Sequence, residues 1–180
     1  MRRASAGVQV IIGIDLSLTG LGLCALPPDW DLVWSRIATE RHGIPLRKDA
    51  TAAERGARIR TLADAAHRFC DRHHATAAYI EGYPVSGRVY GLPALCELGG
   101  VVRATLASSG LVAETAPLST ARKLVLGKLP RRDVKHILHE TIRSMGAPAS
   151  WSGDELDAWV AANYGASEVG ACCVAHEVAA

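Results

Sequence analysis

Residues 152–165 read SGDELDAWVAANYG, and the interpretation of the whole chain starts from them. Ser152 followed three residues later by Glu155 is a capping box, which predicts a helix that begins at Ser152. Residues three apart are neighbours on a helix surface, so Asp154 and Asp157 lie on one face. That face continues with apolar side chains, namely Val160, Ala161 and Tyr164. The two carboxylates are therefore predicted to point inward, where a buried carboxylate needs a partner.

A structural explanation covers part of this pattern. An acid in the first turn, such as Asp154, suits the positive end of the helix dipole, and Glu155 completes the capping box. Asp157 lies beyond the first turn and begins the apolar face, so neither effect explains it. The helix alone leaves two interpretations open, a metal site and structural acids.

The length and composition of the chain favour one domain. The 180 residues are 49% hydrophobic, which suffices for one compact core but not comfortably for two. We predict a single domain over residues 1–180, with its core at about 8–165 and a tail of unknown role at 166–180. There is no apolar run of about 18 residues and no signal-peptide pattern at the start. A protein inside the cell, without a membrane partner, is expected.

The cysteines lie in apolar segments without the spacing of a zinc site; they are Cys24, Cys70, Cys96, Cys172 and Cys173. Such residues are expected to be buried free thiols in a reducing compartment. The adjacent Cys172 and Cys173, with His176, form only a weak partial metal motif.

Positive charge is concentrated in one segment although the whole chain carries only +2. Residues 119–136 contain one acid, Asp133, and six basic side chains, namely Arg122, Lys123, Lys128, Arg131, Arg132 and Lys135. A basic patch on an otherwise acidic body is typical of a surface for a polyanion, above all nucleic acid. A solvated helix face is the alternative.

Two short apolar segments each end in an acid, residues 8–15 (VQVIIGID) and 77–81 (AAYIE), and both are predicted to be buried strands. Between them, residues 21–26 and 30–38 are predicted to complete an antiparallel meander, and 39–50 a loop. Residues 51–74 follow as an amphipathic helix with its own capping box at Thr51 and Glu54.

If the strands 8–15 and 77–81 are parallel neighbours, Asp15 and Glu81 reach the same carboxyl edge of the sheet. With Asp154 and Asp157 they make four candidate ligands. Carboxylate oxygens are the ligands that Mg²⁺ or Mn²⁺ prefers, and a cluster of acids can hold two such ions to activate water against a phosphodiester.

The segment 82–91 (GYPVSGRVYG) is predicted to be a loop because of its Gly and Pro content. Its Tyr83, Arg88 and Tyr90 suit stacking on unpaired bases. The equal alternative is that the two tyrosines fold onto the core.

The helix predicted at residues 92–108 is apolar nearly all round, which favours burial against a second subunit. A fifth strand is predicted at 111–115, a short helix from Pro117 to Lys123 ended by Gly127, and a basic helix at 131–145. The buried side of this basic helix is predicted to comprise Val134, Ile137, Leu138, Thr141 and Ile142. His136 and His139 are predicted to be surface residues without a chemical role.

Four motifs in this order, GIDLSLTGLG (13–22), YIEGY (79–83), APLSTARKLVLGK (116–128) and DELDA (154–158), resemble the RuvC family of Holliday-junction resolvases. This family belongs to the ribonuclease H-like superfamily. The similarity runs from about residue 8 to 164. It implies an α/β fold with a five-stranded mixed sheet, in which an antiparallel meander is followed by two parallel strands, flanked by helices.

The resemblance also implies a function. Asp15, Glu81, Asp154 and Asp157 match the acids that bind the catalytic metals in the family, Mg²⁺ with Mn²⁺ able to substitute, and two ions per site. The family is homodimeric about a long apolar helix, here residues 92–108, and cuts opposing strands of four-way junctions in recombination and repair, leaving 5′-phosphate and 3′-hydroxyl ends.

The chain departs from the family pattern at several positions. Leu16 and Ser17 stand where the family has Pro-Gly, and Gly82 where it has Gln. The phosphate-contacting lysines are replaced by Arg122 and by Arg131 or Arg132, which keep the charge. A divergent, phage-type member in the cytoplasm of a bacterial or phage-infected cell is implied, and its substrates could extend to flaps, forks and bubbles.

Two other classes of function remain. GIDLSLTG (13–20) is also similar to a phosphate-binding loop of the sugar-kinase and actin-like fold, which needs a second domain that 180 residues do not supply. A non-catalytic nucleic-acid-binding module is the other.

Overall fold

The computed structural model describes residues 9–27, 34–45, 47–83 and 91–170. The strands in these ranges are β1 (Ile11–Leu16), β2 (Gly20–Leu26), β3 (Ala38–Gly43), β4 (Ala77–Glu81) and β5 (Ala113–Ala116). The helices are α1 (Ala52–Arg72), α2 (Leu92–Ser108), α3 (Leu118–Leu126), α4 (Val134–Ser144) and α5 (Gly153–Glu168), with a 3-10 turn at Trp34–Arg36.

The strands form one mixed sheet in the order β3-β2-β1-β4-β5. The pairs β1–β2 and β2–β3 are antiparallel, while β1–β4 and β4–β5 are parallel. This confirms the predicted meander followed by two parallel strands. It also confirms that β1 and β4 are parallel neighbours, the condition for their terminal acids to meet.

The two faces of the sheet are covered by different helices, and β1 shows the alternation clearly. Ile12 and Ile14 belong to the apolar cluster formed with α1 and α2, whereas Ile11 belongs to the cluster formed with α3, α4 and α5. Because successive side chains of a strand point to opposite faces, Gly13 and Asp15 face the same side as Ile11. The end of β1 therefore presents its carboxylate toward α5.

Two glycines allow α5 to lie directly on the sheet. A Cβ atom at Gly13 would stand 1.9 Å from the carbonyl oxygen of Ala158, and one at Gly22 would stand 2.2 Å from that of Asp154. No side chain fits at such distances, so the backbones of β1, β2 and α5 are in contact only because these positions lack one.

Helix α5 differs from its prediction as a helix with one apolar stripe, because it is buried nearly all round, from Leu156 to Asn163 without interruption. The sheet covers one side, and Trp34 covers another through ring contacts with Trp151 and Trp159. The capping box of Ser152 and Glu155 is present as predicted.

The bounds predicted for the third strand were wrong. Residues 30–38 were expected to form it; residues 30–33 lie outside the described residues, Trp34–Arg36 is a 3-10 turn, and β3 occupies Ala38–Gly43, mostly within the expected loop 39–50. The indole of Trp34, in this turn, donates a hydrogen bond of 2.7 Å to the carbonyl of Met145. β3 is an edge strand with a polar sequence. It has no apolar alternation that would predict a strand, and it is defined by its pairing with β2.

The remaining helices agree with the predictions more closely. α1 has the predicted capping box at Thr51, α2 has its predicted bounds, and α3 ends just before Gly127. α4 begins at Val134 rather than 131, since Asp133 adopts a left-handed backbone conformation with φ of 54°. Ile137 is exposed, which corrects its predicted burial.

Helix α2 is only partly covered within one chain. Leu98, Val102 and Leu106 are buried, but Val101 is 40% exposed. Its expected burial on all sides is therefore not achieved by the described part of a single chain, and the predicted subunit contact stays a prediction.

The cysteines behave less uniformly than expected. Cys24 and Cys70 are buried free thiols, but Cys96 is exposed on α2, which corrects that prediction. Cys172, Cys173 and His176 lie outside the described residues. None of the helices among the described residues has the length and apolar character needed to cross a membrane.

Candidate metal centre

Asp15 and Glu81 come together because β1 and β4 are parallel neighbours. The register pairs Ile14 with Ile80, so the acid that follows each residue reaches the same edge of the sheet. Tyr79 belongs to the cluster on the α5 side, and Glu81, two residues later, faces that side as well. Asp15 is 6% exposed, so the two carboxylates meet in a largely dry site.

Asp157 completes the group from the helix above. It lies in the second turn of α5 and is fully buried. One ligand oxygen from each of Asp15, Glu81 and Asp157 lies within 4.8 Å of the others. The structure thus brings together three of the four acids that the sequence predicted.

The charges of Asp15 and Glu81 are poorly accommodated by their surroundings. Burial, together with the nearby carboxylates of Glu81 and Asp157, raises the pKa of Asp15 well above its usual range. Burial and Asp157 also raise the pKa of Glu81, in spite of its contact with Arg122. Three carboxylates converging at this distance form the all-oxygen donor set that suits a hard divalent cation. The residues present therefore fit a metal ion.

Asp154, the fourth predicted ligand, lies outside this group. Its Oδ2 accepts a hydrogen bond of 2.9 Å from Nε of Arg41 on β3, and its side chain is 17% exposed. Its assignment to the metal stays a prediction.

Two basic residues that the sequence assigned to DNA instead contact the acids. The guanidinium of Arg122 donates a hydrogen bond of 3.1 Å to Oε1 of Glu81, and both side chains are largely buried. Nζ of Lys135 lies 2.5 Å from Oδ2 of Asp157, although the lysine side chain remains 56% exposed. The basic segment therefore reaches into the acidic cluster as well as along the surface.

His139 was expected to lie on the surface without a role, and this expectation was wrong. Its side chain is 16% exposed, and its Nε2 lies 3.1 Å from Oδ1 of Asp157. A signal was present in the sequence, because His139 follows Lys135 by four residues and so shares its helix face. The contact itself requires the packing of α4 against α5, which the sequence pattern does not provide.

The other predicted DNA contacts fall into three groups. Exposed basic side chains surround α3 and the start of α4, namely Lys123, Lys128, Arg131 and Arg132. Tyr83 is folded against α2, with its hydroxyl donating to the carbonyl of Leu95 at 3.1 Å, as the alternative interpretation of the tyrosines expected. Arg88 and Tyr90 lie outside the described residues.

No protein-family model and no curated protein sequence matches this chain. Several solved structures match it in fold. RuvC of Thermus thermophilus has a TM-score of 0.64 at 14% identity, covering 90% of this chain and 97% of RuvC. The same protein in complex with a Holliday junction substrate gives 0.62 at 14% identity, covering 90% and 96%.

The yeast mitochondrial Holliday junction resolvase Ydc2 gives a TM-score of 0.50 at 13% identity, covering 86% of this chain and 76% of Ydc2. At identities this low, the similarity establishes the fold. The chain has the RuvC-like, ribonuclease H-like fold that the motifs implied.

Proposed function

We propose that this chain with a RuvC-like fold is a metal-dependent, structure-specific endodeoxyribonuclease that resolves four-way DNA junctions. It would cut opposing strands by paired nicks and leave 5′-phosphate and 3′-hydroxyl ends, in recombination and repair. The observation that carries the proposal is the convergence of Asp15, Glu81 and Asp157 within 4.8 Å at the carboxyl edge of the parallel strands.

The three carboxylates would hold Mg²⁺, with Mn²⁺ able to replace it. When bound, such cations supply Lewis acidity toward a phosphodiester and its attacking water. Two ions require a further ligand, and Asp154 is the candidate, one helical turn before Asp157. Its partner Arg41 is 45% exposed, so solvent screens that ion pair and Asp154 can exchange it for a metal ion.

The chain's own basic residues account for the polyanionic substrate. Lys123, Lys128, Arg131 and Arg132 are exposed and suit contacts with DNA phosphates. Arg122 lies at Glu81 and holds a fixed positive charge where a phosphate must enter. A homodimer through α2 would present two such sites related by a two-fold axis, as paired nicks require.

The test is incubation of the protein with labelled four-way, forked and linear duplex DNA, with Mg²⁺ or with EDTA. We expect Mg²⁺-dependent cuts in opposing strands of the four-way junction, with products that DNA ligase can reseal because their ends are 5′-phosphate and 3′-hydroxyl. Asp15→Asn should abolish cleavage and leave junction binding nearly intact.

Other results would contradict the proposed site or indicate a different function. Full activity in Asp15→Asn contradicts the proposed site. Efficient cutting of forks, flaps or bubbles indicates a broader branched-DNA nuclease. Binding without metal-dependent cutting indicates a nucleic-acid-binding module, and ATP hydrolysis without nuclease activity indicates a kinase-like or actin-like relative.

A further inference from the structure

The contact between His139 and Asp157 is not explained by binding of DNA to an exposed surface. The imidazole is largely buried and lies against an acid that belongs to the metal cluster. A carboxylate only accepts hydrogen bonds, so Nε2 of His139 carries a proton and donates a hydrogen bond to Oδ1 of Asp157. This bond restricts rotation of the carboxylate.

The ring of His139 is held in place from a second side. A Cβ atom built at Gly153 would stand 3.2 Å from Cε1 of His139, so the first residue of α5 lies close against the imidazole. Leu138 and Ile142 anchor α4 in the core on either side of His139 in sequence. The imidazole therefore lies between two residues of α5, Gly153 and Asp157.

Lys135 provides a contrast on the same helix face. Its long side chain is more than half exposed, so it can leave Asp157 when a cation or a phosphate arrives. His139 has a short side chain that is only 16% exposed and is bounded on a second side by Gly153 of α5. Of the two donors to Asp157, His139 is the fixed one.

The contact with His139 also affects the pKa of Asp157. Burial by itself would raise the pKa of Asp157, but the hydrogen bond from His139 and the charge of Lys135 outweigh it and lower the pKa. Burial and neighbouring acids instead raise the pKa of Asp15 and Glu81.

We propose that His139 is a positioning residue, whose Nε2 proton holds the carboxylate of Asp157 in the orientation that binds the divalent cation. The inference rests on the metal site of the proposed function and adds a residue outside the acids. Partners that orient a metal ligand typically contribute 10- to 100-fold to metal affinity.

The test measures Mn²⁺ affinity by titration calorimetry in the absence of DNA, so it does not depend on nuclease activity. Three variants distinguish the reach of the N–H group toward Asp157 from the size of the side chain at position 139. His139→Gln carries an amide N–H near the position of Nε2, His139→Asn carries the same group on a side chain too short to reach Asp157, and His139→Phe keeps a ring without a donor.

We expect His139→Asn and His139→Phe to bind Mn²⁺ roughly 10- to 100-fold more weakly and His139→Gln to stay within a few-fold of the wild type. Circular dichroism and thermal unfolding in EDTA verify folding. If the phenylalanine variant does not fold, the Gln and Asn pair decides the result.

Equal Mn²⁺ affinity in wild type, Gln and Asn variants would overturn the inference while leaving the metal site intact. Equal loss in Gln and Asn variants would also overturn it, because the N–H would then not be the relevant feature. If the wild type binds no Mn²⁺ at all, the proposed function fails instead.

Discussion

The environment of Asp15 disfavours its negative charge. Burial and two neighbouring acids oppose its ionisation in the fold, whereas the unfolded chain ionises it freely at neutral pH. A folded-state pKa above the unfolded value destabilises the fold at pH values above the usual pKa of the group. Without a cation, Asp15 therefore reduces stability.

This cost leads to a prediction for Asp15→Asn. In EDTA at neutral pH, the variant should unfold at a higher temperature than the wild type, because a neutral amide removes the repulsion. Adding Mg²⁺ should raise the melting temperature of the wild type more than that of the variant. A variant that melts earlier than the wild type in EDTA would mean that the charge of Asp15 has a structural role.

Lys135 is expected to weaken binding of the divalent cation, whereas His139 is expected to strengthen it. Its ammonium group occupies Oδ2 of Asp157 and competes with an incoming cation. Lys135→Met keeps the apolar stem and removes the competing charge, so Mn²⁺ should bind roughly a few-fold more tightly, because the ammonium group is more than half exposed and its attraction to Asp157 is weakened by solvent.

A matched control is Lys123→Met on α3, which removes an exposed charge from the same basic segment. Both variants should bind junction DNA more weakly, and each lost phosphate contact should reduce the slope of log affinity against log salt by about 0.9. Only Lys135→Met should change Mn²⁺ affinity. Weaker Mn²⁺ binding in Lys135→Met would contradict the competition.

Among the elements, α5 has the decisive position because its backbone lies directly on β1 and β2. That approach brings Asp157 to Asp15, and it depends on Gly13 and Gly22. The site therefore depends on positions that carry no functional group.

Gly13→Ala tests this dependence. Its Cβ would stand 1.9 Å from Ala158 O and 2.4 Å from Ala162 N, both backbone atoms, so α5 must move away from β1. Equilibrium urea unfolding should show a loss of about 1–3 kcal/mol or more, the usual cost of overpacking. Mn²⁺ affinity should fall with it, because Asp157 moves with α5.

The control is Gly56→Ala in α1, which is exposed and has no atom within 4 Å of the added Cβ. There, alanine should stabilise the protein by roughly 0.5–1 kcal/mol through its helix preference. Similar effects of the two substitutions would show that the close approach of α5 is not required.

At the scale of the whole molecule, the exposed part of α2 bears on the predicted homodimer. Val101 is 40% exposed on a helix that is otherwise largely apolar. Val101→Glu should convert a dimer to a monomer in sedimentation-velocity measurements, since burial of an unpaired carboxylate at a subunit contact is strongly unfavourable.

Val169→Glu is the matched control, because Val169 is similarly exposed, at 43%, but lies at the end of α5. It should leave the association state unchanged. A dimer that persists in Val101→Glu and dissociates in Val169→Glu would place the contact elsewhere.

Local sequence was sufficient for the elements whose signals are local. The capping boxes at Thr51 and Ser152 located the starts of α1 and α5. Apolar runs ending in Asp15 and Glu81 identified the two central strands, because buried parallel strands are apolar along their whole length. The ordered acids predicted a cluster of carboxylates, of which Asp15, Glu81 and Asp157 do converge, and the resemblance that they support implied the RuvC-like fold.

Tertiary packing decided the features that no local pattern encodes. β3 is a polar edge strand, so only its hydrogen bonds to β2 define it. The directions of Arg122, Lys135 and His139 follow from how α3 and α4 pack near the acids, and a basic helix alone is equally compatible with a solvated face. Sequence thus identified the candidate acids, since a strand end and a helix period are local properties, whereas which of these acids meet and which basic side chains contact them depended on contacts between elements far apart in the chain.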